Sequence, residues 1–223
     1  MSGKRLHIER TADARVVRLV AEQNLFDTTF VDDFQRALDE LATGEDANRL
    51  PIVTMGDGKF FSNGFDLEYL GSLDVNAVLG FVDTSCALLA RILTFPAPTV
   101  AAINGHAFGI GAMLALAHDR RVMRADRGWL CLPEVDLGLP FRPFMQALVT
   151  NRLASRIAQE AMLSGRRYPA ADALAAGIVD AVTPEADLLA AAVAEMQPWS
   201  GKQPAALGTL KAQLYADVVA QLS

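Results

Sequence analysis

The order of segments predicts an α/β fold with a mostly parallel sheet. Short apolar runs alternate with helical stretches through the first 135 residues, as in strands that return through crossover helices. From Phe141 onward the pattern turns mostly helical. Of 223 residues, 52% are apolar and 21% charged, enough to bury a core in one domain of this length.

Arg5–Arg10 and Arg15–Val20 flank Asp13-Ala14 and predict a hairpin. Thr28 to Ala42 predicts a helix. Phe30, Phe34, Leu38 and Leu41 recur at helical spacing, Asp27 or Thr28 caps its start, and Gly44 ends it. Leu50–Met55 reads as a buried strand, and Gly56 to Gly64 as a loop by composition. Asp74 to Phe95 predicts a long helix. Its stripe is Val75, Val78, Leu79, Val82, Cys86, Leu89, Ile92 and Leu93, and Pro96 and Pro98 stop it. Thr99–Ile103 reads as a second buried strand and Gly109 to Ala117 as a small-residue helix. Arg121–Met123 and Trp129–Leu132 read as short strands. Helices follow at Phe144–Arg152, Ser155–Ser164 and Ala170–Ala176, then a strand at Ile178–Val182. Pro184 opens a helix to about Gln197, and a last helix runs from about Pro204 to Leu222.

The balance of 20 Lys+Arg against 26 Asp+Glu, net −6, argues against a nucleic-acid surface, which needs clustered cations. Two cysteines, Cys86 and Cys131, make no disulfide framework. With three histidines and no close Cys/His spacing, no metal site is expected. The stretch Ala97 to Ala117 is apolar, but Pro98, Asn104, His106 and three glycines interrupt it. A spanning helix needs ~20 continuous apolar residues, so the stretch reads as core and no membrane association is expected. MSGKRLHIER lacks the apolar region of a secretory signal, and AQLS is not a peroxisomal tripeptide. The cytoplasm is the expected compartment.

Three segments could carry chemistry. Phe61-Ser62-Asn63-Gly64-Phe65-Asp66-Leu67 leads from an apolar strand toward a short helix, where free backbone N–H groups can bind an oxygen gaining charge. The plainer reading is a turn with Asp66 as a cap. Asn104-Gly105-His106-Ala107-Phe108-Gly109-Ile110-Gly111-Ala112-Met113 enters a helix through three glycines. It matches neither a P-loop nor G-x-G-x-x-G, and tight helix–sheet packing would explain it equally. Leu132-Pro133-Glu134-Val135-Asp136-Leu137-Gly138-Leu139 sets two carboxylates among apolar neighbours, where burial raises a carboxyl pKa toward proton-transfer work. Glu134 and Asp136 share a face if the backbone is extended and not if it turns; both could also be ordinary solvated acids. His106 and His118 could bind a ligand but read as structural, and no nucleophile is spaced for a triad. Cys86 reads as core. Arg120, Arg121, Arg124 and Arg127 read as a solvated or subunit-facing edge, with phosphate binding the lesser alternative.

Taken together, these segments resemble the crotonase (enoyl-CoA hydratase/isomerase) superfamily. Its patterns F-S-x-G-x-D-L, A-x-x-N-G-x-A-x-G-G-G, P-E-x-x-x-G-L and A-x-x-A-x-x-x-G-I/L-V occur in order at Phe61–Leu67, Ala101–Gly111, Pro133–Leu139 and Ala170–Val179. The resemblance covers roughly residues 5 to 200. It implies a crotonase-like spiral of β-β-α units over residues 1–183, holding an acyl-CoA site. It also implies C-terminal helices over 184–223 that form an oligomer contact. By position, the backbone N–H groups of Phe65 and Ile110 form the oxyanion hole, with isoleucine where the family often has glycine. Family hydratases carry two glutamates; here one position is Met113 and the other Glu134. A thioether cannot activate water, so the resemblance points to the plant- and peroxisomal-type Δ3,Δ2-enoyl-CoA isomerases of fatty-acid (lipid) metabolism, with Glu134 as the catalytic proton carrier. CoA-binding positions carried over are Asn24, Leu25 and Phe26 of the early loop, with Ser62, Asn63, Gly64, Asp66 and Leu67. No metal or separate cofactor is implied, because coenzyme A is part of the substrate. A homotrimer or hexamer is the implied assembly. Two alternatives stand: a hydratase or other crotonase-type reaction, with Asp136 replacing the missing glutamate, and a non-catalytic acyl-CoA-binding protein.

Overall fold

A computed structural model describes residues 5–43, 50–199 and 201–222. The hairpin forms as β1 (Leu6–Arg10) and β2 (Arg15–Leu19), paired antiparallel with Leu6 opposite Leu19. The first helix, α1 (Thr28–Ala42), has the predicted bounds. Asp27 caps it by accepting the Phe30 N–H at 2.7 Å, and Phe30, Phe34, Leu38 and Leu41 are buried. Thr43 is the C-terminal cap; Gly44 lies outside the described residues.

Three successive turns of chain then follow one plan, and each gives one strand to each of two sheets. The first turn is β3 (Ile52–Gly56), β4 (Phe60–Ser62), α2 (Leu67–Gly71) and α3 (Val75–Leu93). The second is β5 (Thr99–Ile103), β6 (His106–Phe108) and α4 (Ile110–Leu116). The third is β7 (Arg120–Arg124), β8 (Leu130–Cys131) and α5 (Glu134–Leu137). With β9 (Ala181–Thr183), the large sheet runs β1-β2-β3-β5-β7-β9 and is parallel from β2 onward. The small parallel sheet runs β4-β6-β8. This is an α/β spiral of β-β-α units.

Two strands arise that the sequence pattern did not mark. β4 lies inside Gly56 to Gly64, read as loop, and β6 lies between Gly105 and Gly109 of the second motif. Each is three residues long, too short to show a period. Long-range bonds hold them instead. Asn104 accepts the Gly56 N–H at 2.9 Å and donates to the carbonyls of Gly58 (3.2 Å) and Phe60 (3.3 Å), which fixes the β3–β4 turn. A side chain on Gly105 would meet the Lys59 carbonyl at 2.0 Å, so only glycine fits there.

The rest of the chain is helical, as expected: α6 (Pro143–Arg152), α7 (Ser155–Ser164) and α8 (Ala170–Ala175). A 3-10 turn at Glu185–Asp187 leads into α9 (Leu188–Glu195). Leu188, Ala192 and Met196 cover Val16, Val53, Val100 and Val122 on one face of the large sheet. The stretch after 183 therefore does not stand apart from the core: α9 completes it. The expected last helix is two, α10 (Pro204–Leu214) and α11 (Ala216–Val219), broken at Tyr215. Tyr215 is buried there and its hydroxyl accepts from Arg152 Nη1 at 2.7 Å.

The arginines of β7 are not a solvated edge. Arg121 and Arg124 are buried. Arg120 and Arg121 pair with Asp180, Arg121 donates to the Ile178 carbonyl at 2.6 Å, and Arg124 pairs with Asp126 and Glu185. Helix α3 is long and apolar enough to cross a membrane by length and composition alone. However, Phe81, Leu88, Leu89 and Ile92 bury its face in the core.

Candidate active site

The first element is the turn after β4. Phe26 forms a parallel bridge there: its N–H donates to the Gly64 carbonyl (2.8 Å), and Asp66 N–H donates to the Phe26 carbonyl (3.0 Å). In a parallel bridge the opposed residue turns its own N–H and C=O the other way, so the Phe65 N–H faces away from Phe26. Gly64 has φ +90, and a Cβ on it would stand 2.9 Å from the Phe108 carbonyl oxygen. Glycine is what brings this turn against the end of β6.

The second element is the junction of β6 and α4. Gly109 (φ +55) turns the chain, and its N–H donates to the Cys131 carbonyl at 3.0 Å. Ile110 opens α4, so its N–H has no intrahelical acceptor. The Ile110 side chain is buried in the core, so a β-branched residue here leaves the amide in place.

The third element is Glu134, first residue of α5. Its Oε2 is buried without a hydrogen-bond partner, and its Oε1 lies 3.3 Å from where a Cβ on Gly109 would be. Burial pushes its carboxyl pKa up to about 7, with backbone hydrogen bonding acting weakly the other way. Asp136 does not share its face. The backbone turns into α5, and the Asp136 carboxylate lies against Gly165. Met113 is fully buried within α4, among core residues.

Gly64, Phe65, Gly109, Ile110 and Glu134 line one cleft of about 380 Å³. Its walls are mostly apolar: Leu67 and Leu70 from α2, Val78, Leu79 and Val82 from α3, and, from the segment Leu137 to Met145, every lining residue but Arg142. This explains why Leu79 of the α3 stripe is exposed: it faces the cleft and not the core. Among the described residues, Glu134 is the only carboxylate in the lining. A broader hollow of about 490 Å³ between α6 and α11 contains none of the motif residues.

The predicted ligand-binding residues divide into two groups. Asn63, Gly64 and Leu67 line the cleft. Asn24, Phe26 and Ser62 have no accessible surface, so direct contact with a ligand is corrected to a supporting role. Asn24 takes φ +48 and donates to the Phe60 and Phe61 carbonyls at 3.2 and 3.0 Å, while Ser62 Oγ donates to the Asn24 carbonyl at 2.7 Å. Asp66 caps α2 by accepting the Tyr69 N–H at 3.0 Å, and Leu25 is half-buried outside the cleft lining. His118 is structural: it bonds the Leu114 carbonyl and Thr54 Oγ1, both at 2.8 Å, and burial lowers its pKa to about 3. His106 packs among the rings of Phe60, Phe108 and Trp129. The sequence reading missed the far wall, Leu139 to Met145. The run Leu139-Pro140-Phe141 has neither helical nor strand periodicity, and only its apolar character could have marked it.

The arrangement sets two main-chain N–H donors and one desolvated carboxyl around an apolar slot. Such a site can stabilise an enolate oxygen and move a proton beside it.

The sequence profile of the enoyl-CoA hydratase/isomerase family matches residues 16–223. Enoyl-CoA delta isomerase 3 of Arabidopsis thaliana is 43% identical over 63% of this chain and 61% of its own length. The peroxisomal enoyl-CoA delta isomerase 2 of the same plant is 40% identical over 58% of this chain and 56% of its own. The chain thus spans about three fifths of these relatives. The human mitochondrial Δ3-Δ2-enoyl-CoA isomerase has the same fold, with a TM-score of 0.90 over 98% of this chain and 86% of that one at 24% identity.

Proposed function

The chain belongs to the enoyl-CoA hydratase/isomerase family, and we propose that within it the protein is a Δ3,Δ2-enoyl-CoA isomerase. One observation carries this reading: a carboxyl whose Oε2 is buried without a partner lines one cleft with Phe65 and Ile110, whose main-chain N–H groups are used neither by the bridge to Phe26 nor within α4. A hydratase needs a second proton-transfer group to activate water. Met113 is in the core and Asp136 lies on the other side of α5, so neither supplies it.

The thioester oxygen of a 3-enoyl-CoA accepts hydrogen bonds from the N–H groups of Phe65 and Ile110. Glu134, as carboxylate, removes a C2 proton. The C2–H electron pair forms a C1–C2 double bond, and charge moves onto the thioester oxygen as a dienolate. The two donors stabilise that charge where it develops, and losing one such donor costs roughly 3–4 kcal/mol. Glu134 then returns the proton to C4. The dienolate electrons close a C2–C3 double bond and the carbonyl re-forms. C2 and C4 are about 2.5 Å apart by ordinary bond geometry, so one carboxyl serves both. The apolar walls keep water from the dienolate. The reaction moves one proton within the substrate and calls for no metal or redox group.

Asn63, Gly64 and Leu67 at the cleft support the CoA-proximal part of the ligand, with the loop Asn24–Phe26 behind them. We place the protein in the cytoplasm, although two plant relatives are named as peroxisomal. The assembly we propose is a homotrimer or hexamer, joined through the last helices. Leu210 and Leu214 stand exposed one turn apart on α10, and such a face favours association with other copies.

Glu134→Gln tests the assignment. Isomerisation should fall by at least about 100-fold while acyl-CoA affinity is retained. Turnover at the native rate would remove Glu134 from the mechanism.

A further inference from the structure

Arg142 is the one cation lining the cleft among the described residues. It caps the start of α6 and reaches across to Asp83 on α3. Its Nε and Nη2 donate to the two Asp83 carboxylate oxygens, each at 3.0 Å, a planar two-pronged pairing that fixes both side chains. The sequence neighbours Val82 and Phe141 line the cleft, so the pair spans between its two walls. Val78, Leu79 and Val82 of α3 and Arg142 at the start of α6 line the same slot as Phe65 and Ile110.

We propose that the Arg142–Asp83 ion pair closes the far end of the acyl channel and sets the length of acyl chain the protein accepts. This deepens the acyl-CoA reading of the cleft and rests on it. A chain short enough to end before the pair packs against apolar wall. A longer chain must push its methylenes past two charges or part them, which removes the charges' hydrogen bonds without replacing them. Both side chains are about one third exposed, and pairs of that kind add little to stability, so opening this one should leave the fold intact.

The test is affinity for saturated hexanoyl-CoA and dodecanoyl-CoA, measured on the whole protein by calorimetry. Saturated esters bind without reacting, so the result is separate from whether the protein is an isomerase. The native protein should bind the short ester at least as tightly as the long one. Arg142→Ala and Asp83→Ala should each raise the long-to-short affinity ratio by about tenfold or more, because a single methylene in an apolar pocket is worth roughly that much. The double exchange Asp83→Arg with Arg142→Asp re-forms a pair of reversed polarity and should return the ratio toward the native value. A purely structural role would not produce that return. If an alanine variant fails to fold, Asp83→Asn removes the charge at nearly constant size and reads the same ratio. The proposal is overturned if the ratio is unchanged across variants, or if the native protein already prefers the long ester. It is also overturned if neither ester binds, since the cleft is then not an acyl channel; isomerase assays then report on the reaction separately.

Discussion

In the proposed mechanism Glu134 must be charged to take a proton, and it is held where charge is costly. Its carboxyl pKa is pushed up to about 7 by burial. Below that pH the base is protonated and idle. Activity should therefore rise about tenfold per pH unit up to about 7 and level off above it, read as kcat/KM on a 3-enoyl-CoA. The same shift bears on stability. The folded carboxyl holds its proton more tightly than the unfolded one, whose ordinary value is 4.5. Its contribution is full below that ordinary value and is lost as pH rises through about 7. Glu134→Gln should remove that pH slope, so that at pH 8 the variant melts no lower than the native protein; a lower melting temperature there would contradict it. Met113 is the companion case. The sequence shows a thioether where hydratases keep a glutamate, and the fold shows that the position points into the core. Met113→Glu should destabilise the protein by several kcal/mol, on the order of an unpaired buried charge, and should add no hydratase activity. Hydration by that variant would show that the α4 side chain reaches the cleft.

At the scale of elements, the site depends on how closely two short strands approach. β4 and β6 hold the Phe65 and Ile110 amides, and Gly64 is the contact between them. Gly64→Ala places a methyl 2.9 Å from a main-chain oxygen at φ +90. Either the turn or β6 must move. The expected result is a fall in kcat of about 100-fold or more, the scale of a displaced oxyanion donor, with a smaller loss of melting temperature. Unchanged kcat would mean that the Phe65 amide is not used. These elements were also the least legible ones in the sequence. α1 and β5 were readable to the residue, because an amphipathic stripe with an Asp cap, or an apolar run bounded by proline and asparagine, carries its own signal. β4 and β6 carry none, since three residues show no period and Asn104 holds the turn from 48 residues away. The cleft was more legible: four motifs in order marked Phe65, Ile110 and Glu134, which the fold brings to one lining, although composition alone left each with a plain alternative.

At the scale of the molecule, the helical end is tied into the spiral. Lys211 of α10 is buried and donates to the Ala97 carbonyl at 2.9 Å and to Asp119 at 2.6 Å. Asp119 in turn accepts the Thr99 N–H at 2.8 Å, at the start of β5. Burial lowers the Lys211 pKa and its Asp119 partner opposes that. Lys211→Ala leaves a buried carboxylate short of its partner. Stability should fall by about 3–5 kcal/mol in a denaturant titration, and a loss below about 1 kcal/mol would show that Asp119 is satisfied without it. No sequence period pointed to this link, because it joins residues 92 apart through one charged pair. The same distance problem hid the role of α9, whose apolar residues became interpretable only against the valines of four strands.

In the proposed mechanism one base and two amides move a double bond without adding water. The most direct measurement gives the purified protein a 3-enoyl-CoA and, separately, a 2-enoyl-CoA, and follows the absorbance of the conjugated thioester. Absorbance should rise with the first substrate and stay constant with the second. A falling signal with the second substrate would mean that water is added and a second acid works in the cleft. No change with either would remove the isomerase reading.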